Sequence, residues 1–150
     1  AGKLVSAFDL ARTLALGADW CNAARGYMFA LGCIQAESCH TGKCPTGVTT
    51  QDPHRQRALV VPDKAARVHH FHENTLKALA ELLAAAGVAH PNDLTSEHVL
   101  RRVSPSEVKS LALIYTRIKT GELLTGVPAH AVFQAYWSRA SAKRFALLNT

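Results

Sequence analysis

"ALGCIQAESCHTGKCPTGVTTQDP", Ala30 to Pro53, places three of the chain's four cysteines within twelve residues. Cys33, Cys39 and Cys44 follow the spacing C-x5-C-x4-C among Gly32, Gly42, Gly47, Pro45 and His40. A disulfide explains this poorly, because three thiols leave one unpaired and nothing in the chain points to secretion. Structural zinc takes four ligands at shorter spacings, with His40 available as the fourth. An iron–sulfur cluster asks for thiolates in a loop whose glycines let backbone N–H groups turn toward sulfide, and Gly42 and Gly47 are placed for that. The Cys44-Pro45 pair matches the Cys-Pro ending of ferredoxin ligand runs, and three cysteines suit a cluster lacking one iron. Spacing alone leaves a cluster, a zinc site and reduced thiols open.

The rest of the chain sets the frame for that loop. Its 150 residues, 48% hydrophobic and 19% charged, are enough for a globular domain with a core of its own. No apolar run is long enough to span a bilayer and no signal peptide is visible, so a cytoplasmic protein is expected. The start, "AGKLVSAFDL", lacks a methionine, as expected of a processed chain or a piece of a longer one. The net charge of +6 and pI near 9.4 raise nucleic-acid binding. The basic residues are instead scattered among acids with no aromatic-basic motif, as on a solvated surface, and no nucleic-acid partner is expected.

Local patterns predict a mainly helical chain with a small α/β part at its start. Residues 3–5 and 19–22 read as short strands around the helix "AFDLARTLALG", closed by Gly17. "GYMFALGCIQAES" reads as a further helix, and the stretch from Pro45 to Pro62 as a long loop. The strongest helix runs from Asp63 to Gly87, with Asp63 as N-cap and Val68, Phe71, Thr75, Leu79, Leu82 and Leu83 as its buried stripe. "TSEHVLRRV" and "SPSEVKSLALIYTRIKTG" carry helix-start signals, and "PAHAVFQAYWSRASAKRFALL" reads as a last amphipathic helix. Trp20, Phe133 and Trp137 are expected in the core and Cys21 as a small buried hydrophobe. His69, His70 and His72 lack the i, i+4 pairing of a helical metal site and are expected to face solvent. No catalytic triad or carboxylate pair stands out, so no catalytic residue is assigned.

"LGCIQAESCHTGKCPTGVTTQDP" closely resembles the "ALGC…C…CP.G..TQ" segment of the FMN- and iron–sulfur-containing synthase domain of glutamate synthase. The preceding "GKLVSAFDLARTLALGADWCNAARG" looks like the end of that family's FMN-binding (β/α)8 barrel. The likeness runs to about Leu94 and is nearest to the stand-alone glutamate-synthase-like proteins. It implies that Cys33, Cys39 and Cys44 bind a 3Fe–4S cluster. It also implies that Gly2, Lys3, Ala24 and Arg25 belong to the site for the flavin phosphate. Gly2 matches the first glycine of the family's turn, while Lys3 stands where a second glycine is common. "AAR" replaces a glycine-threonine-type turn, so Arg25 itself is available to pair with phosphate.

On this resemblance residues 1–60 are the C-terminal segment of a barrel with its cysteine loop, and 61–150 a helical extension. The implied activity is that of an FMN- and iron–sulfur-dependent oxidoreductase forming glutamate from 2-oxoglutarate and ammonia-derived nitrogen. The implied partners are an electron-donor protein or subunit and a 2-oxoglutarate-type substrate. A fragment with so little of the barrel is expected to be inactive alone. Its strands, lacking neighbours, are expected either to drive self-association or to give way to a helix-dominated arrangement. The rival reading is a non-catalytic helical module whose cysteines bind zinc or stay reduced.

Overall fold

The structure, a computed structural model, describes residues 2–126 and 130–145. Helix α1, Ala7–Ala15, starts where Ser6 closes a capping box. Ser6 Oγ accepts from the Asp9 N–H at 3.2 Å, and Asp9 Oδ2 accepts from the Ser6 N–H at 3.0 Å. Two of the first turn's unpaired donors are thereby met. The helix buries Ala7, Ala11 and Ala15, one face at i, i+4, i+8, and the small side chains let its backbone approach α4 closely. Past Leu16 the chain leaves the helix through Gly17 at φ 100°, as its sequence predicts.

Helix α2, Arg25–Leu31, ends at Gly32 in the left-handed conformation, φ 108°. The short α3, Pro53–Gln56, is capped by Asp52, whose Oδ1 accepts from the His54 N–H at 2.9 Å. Helix α4, Val61–Ala86, is the longest element at 26 residues and packs against both α1 and α2. It begins two residues before Asp63, because Pro62 fits a first turn that needs no N–H. Gly87 closes it at φ 72°. Leu83 is buried and Val68, Phe71, Thr75, Leu79 and Leu82 are half-buried along the expected stripe.

The two N-terminal strands expected from the sequence are absent: residues 3–5 and 19–22 are irregular. A strand is held by a neighbour's ladder, and here the Val5 N–H turns to the Asp9 carboxylate at 3.3 Å. Leu4 is nevertheless buried, 3% exposed, so the core position was read correctly and its backbone state was not. The only sheet among the described residues is a hairpin further on, β1 (Leu100–Ser104) and β2 (Glu107–Ser110), joined by Pro105 and Ser106. It replaces the helix expected over "TSEHVLRRV" and the start of the next. Thr95 accepts the His98 N–H at 3.0 Å in one isolated turn, with the His98 ring on the Thr95 N–H, and β-branched Val103 and Val108 continue extended.

Helix α5, Leu111–Ile114, stops where the β-branched and aromatic run Ile114-Tyr115-Thr116 turns extended at Tyr115. Helix α6, Ala131–Trp137, is all that the described residues show of the last expected helix; positions 128–129 and 146–148 of that stretch lie outside them. Trp20 is 72% and Trp137 44% exposed, against the expectation of core positions, while Phe133 is half-buried. Alanines occupy the inner face of α1, and Phe8 on the same helix is 51% exposed. The chain divides into a first unit ending at Leu100, which holds both α4 and the cysteine loop, and a second beginning at Arg101. No helix among the described residues is long and apolar enough to cross a membrane.

Candidate metal centre

The cysteine loop begins where α2 stops. The Gly32 N–H donates to Phe29 O and the Cys33 N–H to Met28 O, each at 2.9 Å, so the chain turns out of the helix at Cys33. Gln35 and Glu37 follow with φ of 57° and 55°, left-handed without being glycine. Each costs on the order of 1 kcal/mol or more, a strain found most often at functional sites. The two reversals bring the chain back to Cys39, which opens a single 3-10 turn, Cys39–Thr41. Gly42 at φ 71° releases that turn toward Cys44.

Threonines and the α3 side chains fix this path. Thr41 Oγ1 donates to Ser38 O at 2.7 Å and Thr50 Oγ1 donates to Gly42 O. Gln56 Nε2 reaches Thr50 O at 2.8 Å, and Arg55 Nη1 reaches Lys43 O at 3.2 Å. Gly47, buried at φ 80°, lies directly under α3: a Cβ there would sit 2.2 Å from Arg55 O, so no other residue fits without moving the backbone.

Cys33, Cys39 and Cys44 line one narrow cleft together with Met28, Glu37 and Thr49, with a volume of about 10 Å³, room for about one water molecule. Cys33 is half-buried, Cys39 exposed and Cys44 buried. The Cys44 thiol is pulled down to about 6, chiefly by the Thr46 hydroxyl at 3.5 Å and then by the Thr49 N–H, with burial opposing them. It is therefore mostly thiolate at neutral pH, the form that binds metal. The Thr49 hydroxyl adds a weaker pull without closing a hydrogen bond; its Oγ1 is buried and unpartnered.

Among the described residues no three His, Cys, Asp or Glu side chains converge on a point where one ion would sit. His40 is exposed and does not line the cleft. Tetrahedral zinc needs all its donors about 2.0–2.3 Å from one centre. A cluster makes a different demand, since each thiolate binds its own iron and the sulfurs stand apart around a shared body. Cys33, Cys39 and Cys44, on the walls of one cleft, are the donors such a cluster would take, and the narrow cleft would have to open to admit it.

The other sequence candidates fall elsewhere. Cys21 is half-buried and lines a separate apolar cleft with Leu4, Tyr27, Phe71 and His72. Gly2, Lys3, Ala24 and Arg25 are all exposed. Their segments run side by side: a Cβ on Gly26 would lie 3.4 Å from Val5 O, and Leu4, Val5 and Ala23 wall the same cleft. Lys3 has φ 60°, the left-handed backbone that glycine adopts freely, and Arg25 opens α2. His69, His70 and His72 are exposed, as expected, and His69 pairs with Glu73 at 3.2 Å.

Two contacts near the site have no local signature. Tyr27 Oη meets His72 Nδ1 at 2.6 Å across 45 residues, with Phe71 edge-on to the Tyr27 ring. Lys64, only 17% exposed, brings its ammonium over Gly32 at the end of α2, where carbonyls accumulate negative charge. Only the apolar stripe that carries Phe71 was visible in advance.

Comparison with known proteins adds ancestry. The family model described as the conserved region in glutamate synthase matches residues 1–89. The chain is 48% identical over 101 residues to the glutamate synthase large subunit-like protein YerD of Bacillus subtilis, covering 67% of this chain and 19% of that protein. It is 34% identical over 100 residues to the ferredoxin-dependent glutamate synthase of Pyropia yezoensis, covering 66% of this chain and 6% of that one. Against the NADH glutamate synthase of Saccharomyces cerevisiae it is 27% identical over 152 residues, 99% of this chain and 7% of the relative. The chain thus spans about a fifth or less of the length of these relatives. No solved structure matches it significantly.

Proposed function

Because this chain belongs to the glutamate synthase family, we propose that it is the cluster-bearing part of a glutamate-synthase-type oxidoreductase, with Cys33, Cys39 and Cys44 as ligands of a 3Fe–4S cluster. Gly2, Lys3, Ala24 and Arg25 are its contribution to an FMN phosphate site. When bound, cluster and flavin supply the electrons that turn 2-oxoglutarate and ammonia-derived nitrogen into glutamate. The observation that carries the reading is the meeting of the three loop cysteines around one cleft, with Cys21 outside it.

The chain's own residues have definable tasks in this reading. Gly32 frees Cys33 from α2, the reversals at Gln35 and Glu37 aim Cys39, and Thr46 holds Cys44 as thiolate. Lys3 and Arg25 offer cations on adjacent segments, and the backbone at Gly2 is unobstructed, with nothing within 4 Å of where a Cβ would be. Helix α2 links the two regions: from Arg25 to Leu31 the rise is about 9 Å at 1.5 Å per residue, and Cys33 follows two residues later. That short span keeps the two cofactors near one another, while an electron-donor protein or subunit supplies the reducing equivalents.

The test is Cys39→Ser in the complete protein, prepared without oxygen. Iron content and donor-linked glutamate formation should fall to background while bound FMN is retained. Wild-type protein should be brown with broad visible absorbance. Colourless wild-type protein holding stoichiometric zinc, or full donor-linked activity in an iron-free Cys39→Ser variant, would overturn the reading.

A further inference from the structure

The loop's hydroxyls do not all have the same task. Thr41 and Thr50 donate to Ser38 O and Gly42 O, so the loop itself satisfies them. Thr46 Oγ1 lies 3.5 Å from the Cys44 sulfur. Thr49 Oγ1 is different: it is buried, closes no hydrogen bond of normal geometry, exerts only a weak pull on the Cys44 thiol, and belongs to a residue on the wall of the cleft that Cys33, Cys39 and Cys44 share. A buried donor without an acceptor is destabilising, while removing it for an apolar group of the same shape is close to neutral or stabilising. An acceptor that occupies the cleft reverses that balance, and the sulfurs of a bound cluster are such acceptors.

Resting on the cluster reading above, we propose that Thr49 is a potential-setting residue, its hydroxyl donating a hydrogen bond to a sulfur of the bound centre beside Cys44. The donated bond favours the more negative, reduced form, because charge added on reduction is spread over the sulfurs. Thr49 thereby raises the one-electron potential of the centre without being one of its ligands. Valine at this position keeps the volume and loses the donor; serine keeps the donor.

The experiment compares wild type, Thr49→Val and Thr49→Ser in the complete protein, reconstituted anaerobically with ferrous iron and sulfide. The readouts are iron content, the midpoint potential from a dithionite titration followed by visible absorbance, and melting temperature with and without iron. Thr49→Val should bind as much iron as wild type and titrate at a lower potential, with Thr49→Ser near wild type. Without iron, Thr49→Val should melt close to wild type, since its hydroxyl then has only its weak contact with the Cys44 thiol to lose. Equal potentials at equal iron content would overturn the Thr49 assignment and leave the cluster reading standing. A melting temperature for iron-free Thr49→Val as far below wild type as the loss of a full buried hydrogen bond gives would also overturn it, by revealing a stronger partner within the chain than the Cys44 thiol. Wild-type protein that takes up no iron would overturn the cluster reading itself, and this inference with it.

Discussion

The cysteine loop and the helical layer beside it are held together by different physics. From Cys33 to Gln56 the chain is fixed by directional contacts: hydroxyl and amide staples, left-handed residues, and a glycine pressed beneath α3. The layer of α1, α2 and α4 is held by burial, with alanines on one side and Phe71, Tyr27 and Leu83 on the other. Burial rewards area and tolerates small shifts, whereas hydrogen bonds and φ values fix positions. Three ligands need fixed positions, so the loop is where small changes should have large effects on chemistry and the layer is where they should be felt as stability.

Gly47→Ala should break that contrast most severely. A methyl group 2.2 Å from Arg55 O, at φ 80°, must displace α3 or the loop. The expected cost is roughly 3 kcal/mol or more. Iron uptake should fall by more than stability does, as iron quantification beside urea unfolding will show. If Gly47→Ala retains full iron, the loop is as tolerant as the layer. Phe71→Ala comes next. It removes the edge-on contact with Tyr27, whose ring centroid is 5.2 Å away, and the ring over Gly26. A half-buried phenyl is worth about 2 kcal/mol here, less than a fully buried one. Unfolding midpoints should drop while iron content per folded molecule stays unchanged.

The smallest effect belongs to the capping box of α1, the one directional device within the layer. Ser6→Ala should cost about 1 kcal/mol at neutral pH. The Ser6 N–H and hydroxyl, with the Val5 N–H and Arg12, hold the Asp9 carboxyl below its ordinary 3.8. A depressed carboxylate stabilises the fold fully above its unfolded value and loses that contribution as pH falls through the lower folded one. The gap between wild type and Ser6→Ala should therefore persist at pH 7 and narrow below about pH 3.8. Melting curves across that range will check it, and a gap that widens in acid would contradict the assignment.

Features written in short stretches of sequence were the legible ones. Gly17 and the α4 stripe closed by Gly87 follow from spacing and capping, because their partners lie within a turn or two; the Ser6–Asp9 box is equally local but was not among the expectations. The grouping of Cys33, Cys39 and Cys44 was visible in their spacing and in the surrounding motif. What escaped depends on distant or competing partners. The Tyr27–His72 contact and the ammonium of Lys64 over Gly32 require α2 and α4 to be docked first. Thr95 carries a helix-start signal, but its N–H and hydroxyl both engage the His98 ring in one isolated turn, and a hairpin follows. The strand pattern at residues 3–5 was a correct reading of burial at Leu4 joined to a backbone state that needs neighbours.

The short reach of the loop's bonds also sets an order in time. Its side-chain staples close over 3, 6, 8 and 12 residues, while Tyr27 and His72 are 45 apart. Closing the longer span costs about 1.2 kcal/mol more chain entropy than closing the 12-residue one. Loops of about ten residues close in roughly 10–100 ns. As the polypeptide folds, the stretch from Ser38 to Gln56 that carries Cys39 and Cys44 therefore closes at a lower entropic cost than the docking of α2 on α4, which leaves these two thiols open to iron and to oxidants alike until α2 is in place.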